Sequence, residues 1–547
     1  MQTAPEPHRF AADEQPLFPG SPYSPRHPQL RRLGYGLIAL LMGISATLGN
    51  ALVTVNVPNL AGALGVYVVE ASLLPAVYVA FNACANLMLI KARAQFGIPA
   101  VTTSLLLAYM LATLVQILLP GYHSAILVRA ASGLAAAGLT TMTIYNLLQA
   151  LPPKVRPVAL AVGIVIPQFG TPIARLFPVE MLALSAWQGL HFIEMGIALL
   201  ALAVMHLVPL PPSDRLKVFQ PLDFLTFSLL LPATLLLCAV LSMGRYLWWT
   251  DTPWLGWALV ASIILVVAAV LIEHRRAKPL LQISWVASKD ILRFAGVAVL
   301  VRLALAEQTY GAVGLLSSSG LTNDQLRWLF FWVLLAMVLG AVIVVLLLNP
   351  TRLPVLVVSA ALAIALGAWL DSQSNNLTRP EQLYWSQALL GLGTALFIGP
   401  SLLYGFGRMM QRGPDYQITF LVLFSVTQNL GGLAGSAMLG SYQVIATRAH
   451  ALALSEKVLA ADPQAAARLQ GGAGRLAGVI ADPVLRSAQG NGLLGAALQR
   501  EAAALAFNDV FQLVAALALL TAAYVAIANL RRALIQRRQA AREAAPA

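Results

Sequence analysis

Long apolar runs recur along the whole of this 547-residue chain, and the first extends from Leu33 to Val55. A helix needs ~20 apolar residues to cross a hydrocarbon core ~30 Å thick. Hydrophobic residues make up 59% of the chain and charged residues 10%, whereas soluble domains carry roughly 25% charged residues. Because the backbone must satisfy its own hydrogen bonds in lipid, the runs must be helices. The sequence therefore predicts an all-α polytopic membrane protein.

Apolar runs between polar breaks predict about fourteen transmembrane spans. They cover residues 33–55, 70–90, 98–119, 124–150, 157–182, 187–209, 222–243, 253–273, 290–316, 326–348, 353–370, 382–406, 416–442 and 507–530. Two polar connections bracket spans 7 and 8, which indicates a 6+2+6 order. The predicted units are a disordered cytoplasmic arm (1–32), a six-helix bundle (33–209), a two-helix insert with its linkers (210–289), a second six-helix bundle (290–531) and a basic cytoplasmic tail (532–547).

The net charge of +13 comes from basic residues at alternate connections between the spans. Arg31 and Arg32 precede span 1, and Lys91 and Arg93 follow span 2, while the connection at 120–124 carries no Lys or Arg. This alternation follows the positive-inside rule, so we expect both termini in the cytoplasm. It also argues against a nucleic-acid partner as the reason for the charge.

A long connection, residues 443–506, separates the last two spans. Its two ends are rich in Ala and Leu, while glycines interrupt the middle, at Gly471, Gly472, Gly474, Gly490 and Gly492. The pattern predicts a helical hairpin that projects from the membrane on the periplasmic side. It is either a passive loop or a docking surface for a periplasmic partner, and its length favours docking.

Two carboxyl groups, Glu194 and Glu307, are flanked on both sides by long apolar stretches. Buried carboxyl groups are the usual proton carriers of membrane transporters. The other proton-coupling candidates are basic side chains at comparable depth, namely Arg129, Arg175, Arg302 and His191, the last at i, i+3 spacing from Glu194. The alternative is structural: Arg175 pairs with Glu180 or Glu194, and Arg302 pairs with Glu307, to hold helices in register.

Polar and aromatic residues inside the spans are candidates for a substrate cavity. They are Asn82, Asn86, Tyr145, Asn146, Gln168, Tyr310, Gln387, Gln428 and Asn429. The same side chains could instead hydrogen bond between helices. Motifs for ATP-driven pumping or hydrolysis are missing from the sequence, so we expect a secondary transporter rather than an enzyme. Cys84 and Cys238 lie in predicted spans and are interpreted as small apolar residues, without a metal.

Three segments resemble the fourteen-helix drug/proton antiporters of the major facilitator superfamily, the EmrB/QacA group. They are residues 48–58 (LGNALVTVNVP), 127–133 (LVRAASG), which places Arg129 at the group's basic position, and 503–511 (AALAFNDVF). The chain also departs from that pattern, because Gly49 stands where the group has an aspartate and Glu194 where it has an asparagine. We therefore hypothesise that the titrating group has moved.

The resemblance implies proton-coupled efflux of hydrophobic or amphipathic small molecules across a bacterial inner membrane. It also implies a tripartite system with a periplasmic adaptor and an outer-membrane channel, and it needs no cofactor besides the proton gradient. The expected partners are thus the substrate, membrane lipids, the adaptor and the channel. Two rivals stay open: a facilitator for one metabolite, such as a siderophore or organic acid, and a non-transporting scaffold or sensor.

Overall fold

A computed structural model describes residues 14–17, 20–458 and 462–543, and every regular element there is a helix. The N-terminal half comprises span 1 (Gln29–Val55), span 2 (Leu73–Phe96), span 3 (Ile98–Leu118), span 4 (Tyr122–Ala150), span 5 (Arg156–Ala174) and span 6 (Val179–Leu207). The insert comprises span 7 (Pro221–Leu247) and span 8 (Pro253–Arg275). The C-terminal half comprises span 9 (Lys289–Leu305 and Glu307–Ser318), span 10 (Arg327–Leu347), span 11 (Leu353–Asp371), span 12 (Tyr384–Met410), span 13 (Gln417–Lys457) and span 14 (Pro483–Glu543).

Thirteen helices of the described residues are long and apolar enough to cross a membrane. The fourteenth crossing is span 9, which is divided at Ala306 into two shorter helices. Span 5 is divided as well, because Pro167 and Pro172 lack the backbone N–H that a continuous helix needs. The 6+2+6 prediction thus holds, with one divided span in each half.

The bundle has two ends, which would lie at opposite surfaces of a membrane. The termini side holds the start of span 1 and the end of span 14, and the hairpin side holds the connection between spans 13 and 14. Short helices Val57–Leu64 and Val68–Ala71 lie on the hairpin side, between spans 1 and 2. Because the spans alternate in direction, residues near the start of an odd-numbered span lie on the termini side.

The insert packs along the seam where span 2 of one half meets span 13 of the other. At the termini side, Lys91 of span 2 forms a 2.7 Å ion pair with Asp223 of span 7. At the hairpin side, Trp249 Nε1 donates a 2.7 Å hydrogen bond to Ser441 Oγ of span 13. The insert is therefore bound to both halves, at opposite ends of the seam.

Residues 1–13, 18 and 19 of the predicted disordered arm lie outside the described residues, whereas residues 20–28 differ from the prediction. Span 1 begins at Gln29, and Tyr23 N donates a 3.0 Å hydrogen bond to Pro212 O. His27 Nε2 lies 3.0 Å from Gln149 Oε1, and Gln149 Nε2 donates to Tyr23 O. Residues 20–28 are ordered because these groups find partners at the ends of spans 4 and 6. Similarly, span 14 continues as helix through the predicted tail to Glu543.

The long connection forms a helical hairpin in the described residues, and its glycines do not interrupt the helices. Span 13 extends to Lys457, a separate hairpin helix covers Pro463–Arg475, and span 14 begins at Pro483. Gly472 and Gly490 instead lie at the crossing of the hairpin helix with span 14. A Cβ on Gly490 would approach Leu469 O to 2.8 Å. These glycines allow two helices to approach closely rather than breaking them.

Candidate functional site

Glu194 is completely buried in the N-terminal half and has two partners. Arg129 Nη2 of span 4 donates a hydrogen bond to Glu194 Oε1. His191 Nδ1, one turn earlier on span 6, lies 2.9 Å from Glu194 Oε2. The sequence indicates these three residues as candidates, and the structure brings them together. A carboxylate bonded in this way is a satisfied buried ion.

The carboxylate of Glu194 faces span 1 at Gly49. A Cβ placed on Gly49 would lie 3.1 Å from Glu194 Oε1 and 2.9 Å from Tyr109 Oη. There is therefore no room for an acidic side chain at Gly49 while Glu194 is present. The carboxyl group beside Gly49 thus comes from span 6.

A second buried polar cluster lies in the C-terminal half. Gln387 Nε2 of span 12 donates to Glu307 Oε1 at 3.1 Å and to Asp371 Oδ2 at 2.7 Å. Both carboxyl groups are fully buried. Neither forms a salt bridge with a basic side chain in the described part of the chain. Two acids are thus held close to one amide, without a cation.

The sequence interpretation missed Asp371, which it assigned to the end of a span. The residue is buried because span 14 and its extension cover the hairpin-side end of span 11. Asn508 Nδ2 of span 14 donates a 2.7 Å hydrogen bond to Ser374 O in this region. One feature could have indicated it: Gln387 is predicted inside a span, where an amide needs a polar partner.

The structural alternative for the arginines is wrong in its choice of partners. Arg302 Nε donates to Gln428 O at 3.0 Å and does not pair with Glu307. Arg175 donates to Asn323 Oδ1, and its guanidinium lies 4.8 Å from the centre of the Phe330 ring. Asn323 in turn donates to Val55 O at 3.1 Å. Arg175 therefore joins the hairpin-side ends of the two halves through Asn323.

A cavity of about 860 Å³ lies between the two halves and is lined by both of them and by span 7. Seven of the nine predicted cavity residues line it: Asn82, Asn86, Tyr145, Gln168, Tyr310, Gln428 and Asn429. Asn146 does not, because its amide donates to Met142 O within span 4. Gln387 does not either, because it bridges the two buried acids. Arg175 and Arg302 line the cavity, although the sequence interpretation gave them to proton coupling.

Some of the lining residues also connect the halves, as the alternative for these polar residues proposed. Asn429 Nδ2 of span 13 donates a 2.9 Å hydrogen bond to Asn82 Oδ1 of span 2. Asn82 Nδ2 donates to Gly133 O of span 4 at 3.1 Å. The same residue can thus line the cavity and form a hydrogen bond between helices, since the cavity lies where the two halves meet.

These features define a polytopic helical membrane protein in which two six-helix halves enclose a central cavity. A bacterial homologue of the human drug peptide transporters PepT1 and PepT2 has a similar structure, with a TM-score of 0.53 and 14% identity over 92% of this chain and 99% of that one. The human organic anion transporter MFSD10 (TETRAN) gives 0.48 at 15% identity, over 90% and 100%. A bacterial homologue of the human lysosomal transporter Spinster gives 0.49 at 14%, over 92% and 98%.

The similarity to the peptide-transporter homologue shows the fold, and the chain has the major facilitator fold. No protein-family model and no curated protein matches the sequence. The narrower resemblance to the drug/proton antiporter group remains a prediction.

Proposed function

We propose that this chain is a secondary transporter that couples proton movement to the export of hydrophobic or amphipathic small molecules. The observation that carries the proposal is the cavity of about 860 Å³ between the halves, whose wall combines apolar and polar side chains from each half. That size and lining are suited to a drug-sized ligand. The major facilitator fold adds a mechanism, in which two repeats rock about a central site.

Proton coupling is assigned first to the pair Glu307 and Asp371. Two negative charges cannot be buried together without a cation at reasonable cost, so the pair holds a proton in this conformation. Gln387 can donate to both acids, and a movement of span 12 relative to span 9 would separate them. Glu194 is the second candidate for proton binding rather than the first, because Arg129 already balances its charge. It can take up a proton only when that ion pair opens.

Alternating access is assigned to the contacts that join the halves. On the hairpin side, Arg175 and Asn323 must separate before the cavity can open there. Around Gly399, span 12 contacts span 5, since a Cβ on Gly399 would be 3.1 Å from Ala161 O. Small residues at this contact permit the helices to slide past each other.

The assembly we propose is an inner-membrane component that binds a periplasmic adaptor and, through it, an outer-membrane channel. The hairpin supports this because it exposes large apolar side chains at Val479, Val484 and Leu485, the first with 84% of its surface accessible. Exposed apolar groups on a projecting segment are typical of a docking site.

Transport measurements in proteoliposomes with an imposed pH gradient test the coupling. We expect the double variant Glu307→Gln/Asp371→Asn to lose gradient-driven flux of an amphipathic dye while retaining dye exchange at equal pH. Glu180→Gln is the matched control, because Glu180 is exposed at the start of span 6. Undiminished gradient-driven flux in this double variant and in Glu194→Gln would refute the proton sites. Flux independent of the gradient would favour the metabolite facilitator, and no flux of any compound would favour the scaffold.

The adaptor proposal has a separate test. Cross-linking to a co-expressed adaptor should be lost when Val479, Val484 and Leu485 are all changed to Ser. The control is Leu377→Ser, which removes an exposed apolar residue from another loop on the hairpin side. Equal cross-linking in the triple variant would contradict a docking role for the hairpin.

A further inference from the structure

Four arginines line the central cavity, and they come from three different parts of the fold. Arg93 is on span 2 and Arg175 follows span 5, Arg245 is on span 7 of the insert, and Arg302 is on span 9. The described lining residues include no Asp or Glu. The cavity therefore has a fourfold positive charge on its wall and no opposing charge within the wall.

Each of these guanidinium groups is held by neutral partners. Arg302 donates to Gln428 O, and Arg93 Nη2 donates to Ala137 O at 3.3 Å. Arg245 lies over two aromatic rings, 4.4 Å from the centre of Tyr246 and 4.7 Å from that of Tyr310. None of the four forms a salt bridge with an acidic group of the described residues. Arg93 Nε and Arg175 Nε are buried without a hydrogen-bond partner.

The buried acids near the cavity do not neutralise this charge. Glu194 is already paired with Arg129, and neither residue lines the cavity. Glu307 is bonded to Gln387 on the side of span 9 that faces spans 11 and 12. Uncompensated charge within a membrane protein is costly and normally marks a functional site. A ligand of opposite charge would offset that cost.

We propose that the transported compounds are amphipathic organic anions, such as aromatic or aliphatic carboxylates, sulfonates or phosphates. This inference rests on the proposed function and specifies its substrate class. Guanidinium groups bind such oxyanions through paired N–H donors. Phe424, Tyr145 and Tyr310 in the same wall would contact the apolar body of the compound. The insert takes part directly, since Arg245 belongs to it.

Binding of two aromatic ions of opposite charge tests the proposal. The full-length protein in lipid nanodiscs is titrated with a naphthalenesulfonate and with a naphthylmethyl-trimethylammonium salt, with empty nanodiscs as the blank. We expect the sulfonate to bind at least tenfold more tightly than the ammonium compound. Arg302→Gln and Arg245→Gln should each weaken sulfonate binding about tenfold, the value of one hydrogen bond to a charged group. Arg302→Lys should keep most of the binding, and Arg412→Gln, in an exposed loop, should change nothing.

The outcomes separate this inference from the proposed function. Equal or tighter binding of the ammonium compound, binding of neither ion, or no effect of the cavity arginine variants would overturn the anion proposal. Gradient-driven flux of cationic or neutral compounds would then leave proton-coupled export intact. Conversely, selective sulfonate binding without flux in proteoliposomes would support the anion site and refute transport.

Discussion

At Gly49 and Glu194, the resemblance to the antiporter group predicts that one carboxyl group has moved from span 1 to span 6. This move predicts an asymmetry between single and double variants. Gly49→Asp should destabilise the protein by at least about 3 kcal/mol, because a second acid would meet Glu194 without its own cation. The double variant Gly49→Asp/Glu194→Asn should recover part of the stability, because Arg129 regains a single partner, while the close contact with Tyr109 Oη remains.

Thermal unfolding followed by size-exclusion chromatography measures this difference. Gly62→Asp is the control, since a Cβ on the exposed Gly62 would meet nothing within 4 Å. If the double variant is no more stable than Gly49→Asp alone, the carboxyl group has not simply moved between spans.

Gln387 stabilises two acids at once, so its loss should be costly. Gln387→Met keeps the approximate shape of the side chain but leaves Glu307 and Asp371 without their shared donor. We expect destabilisation of about 1–3 kcal/mol, the cost of unsatisfied buried polar groups. Gln373→Met is the control, because Gln373 is exposed just beyond span 11. A change no larger than in this control would show that the bridge contributes little.

The residues of the candidate site were predictable to different degrees. Glu194 and His191 could be connected because residues three apart share a helix face. The pairing of Arg302 with Glu307 could have been rejected from the sequence, since five residues at about 100° each place the two side chains about 140° apart on the helix. The interruption at Ala306 adds to this separation. The role of Asp371 depends on coverage by span 14, which begins far along the chain and which local sequence does not reveal.

At the scale of whole elements, the binding of residues 20–28 to the ends of spans 4 and 6 should depend on pH. Burial, and to a smaller extent Arg31 and Arg32, lowers the pKa of His27 below its ordinary 6.5, against the raising effect of the Gln149 hydrogen bond. Protonation therefore favours the released arm. The stabilisation from neutral His27 is complete above pH 6.5 and is lost as the pH falls through the lowered pKa.

Hydrogen exchange of residues 20–28 at neutral pH and at about pH 5 measures this release. After division by the intrinsic exchange rate at each pH, the protection of residues 20–28 should be weaker at the lower pH in the wild type and nearly independent of pH in His27→Gln. His123→Gln, which changes an exposed histidine on the hairpin side, should behave like the wild type. Equal pH dependence in His27→Gln would assign the effect to another group.

The hairpin helix should depend on its glycine contact with span 14. Gly490→Val would push against Leu469 O, so we expect the hairpin helix to separate from span 14 while the membrane spans stay folded. Limited trypsin digestion at Arg468 and Arg475 should then be faster. Gly495→Val is the matched control, because a Cβ there meets nothing within 4 Å. Unchanged digestion in Gly490→Val would contradict the close contact.

The membrane spans could be predicted from the length of the apolar runs. The contacts of the hairpin helix and of the arm of residues 20–28 could not. A glycine in a sequence indicates either a break or a close approach, and only the partner helix decides between them. Prolines near the N-terminus likewise suggest disorder, although the backbone groups around them bond to the ends of other spans. In both cases the deciding partner is remote in sequence.

Across the whole molecule, the two buried clusters occupy corresponding positions. The halves are parallel repeats in this fold, so spans 1, 3, 4 and 6 correspond to spans 9, 11, 12 and 14. The Glu194 cluster joins Gly49, Tyr109 and Arg129 from the first set. The Glu307 cluster joins Glu307 of span 9, Asp371 of span 11 and Gln387 of span 12. Span 14 packs against span 9 nearby, since a Cβ on Gly311 would be 2.8 Å from Phe511. Among the described residues, only the first cluster contains a cation, which supports a mainly structural role there and proton binding in the second.

The combination of a proton-binding pair and a positively charged cavity predicts an electrogenic cycle. If one proton enters while one monovalent anion leaves, two positive charges move inward in each cycle. A membrane potential negative inside would then contribute roughly 2.3 kcal/mol per charge for each 100 mV, or roughly 4.6 kcal/mol in all. We therefore expect export of the naphthalenesulfonate to be driven by a potassium diffusion potential even without a pH gradient. Proteoliposomes with valinomycin measure this, with Arg412→Gln as the control and Arg302→Gln as the variant whose flux should be reduced at low sulfonate concentration. Export that does not respond to the potential would exclude inward movement of net positive charge.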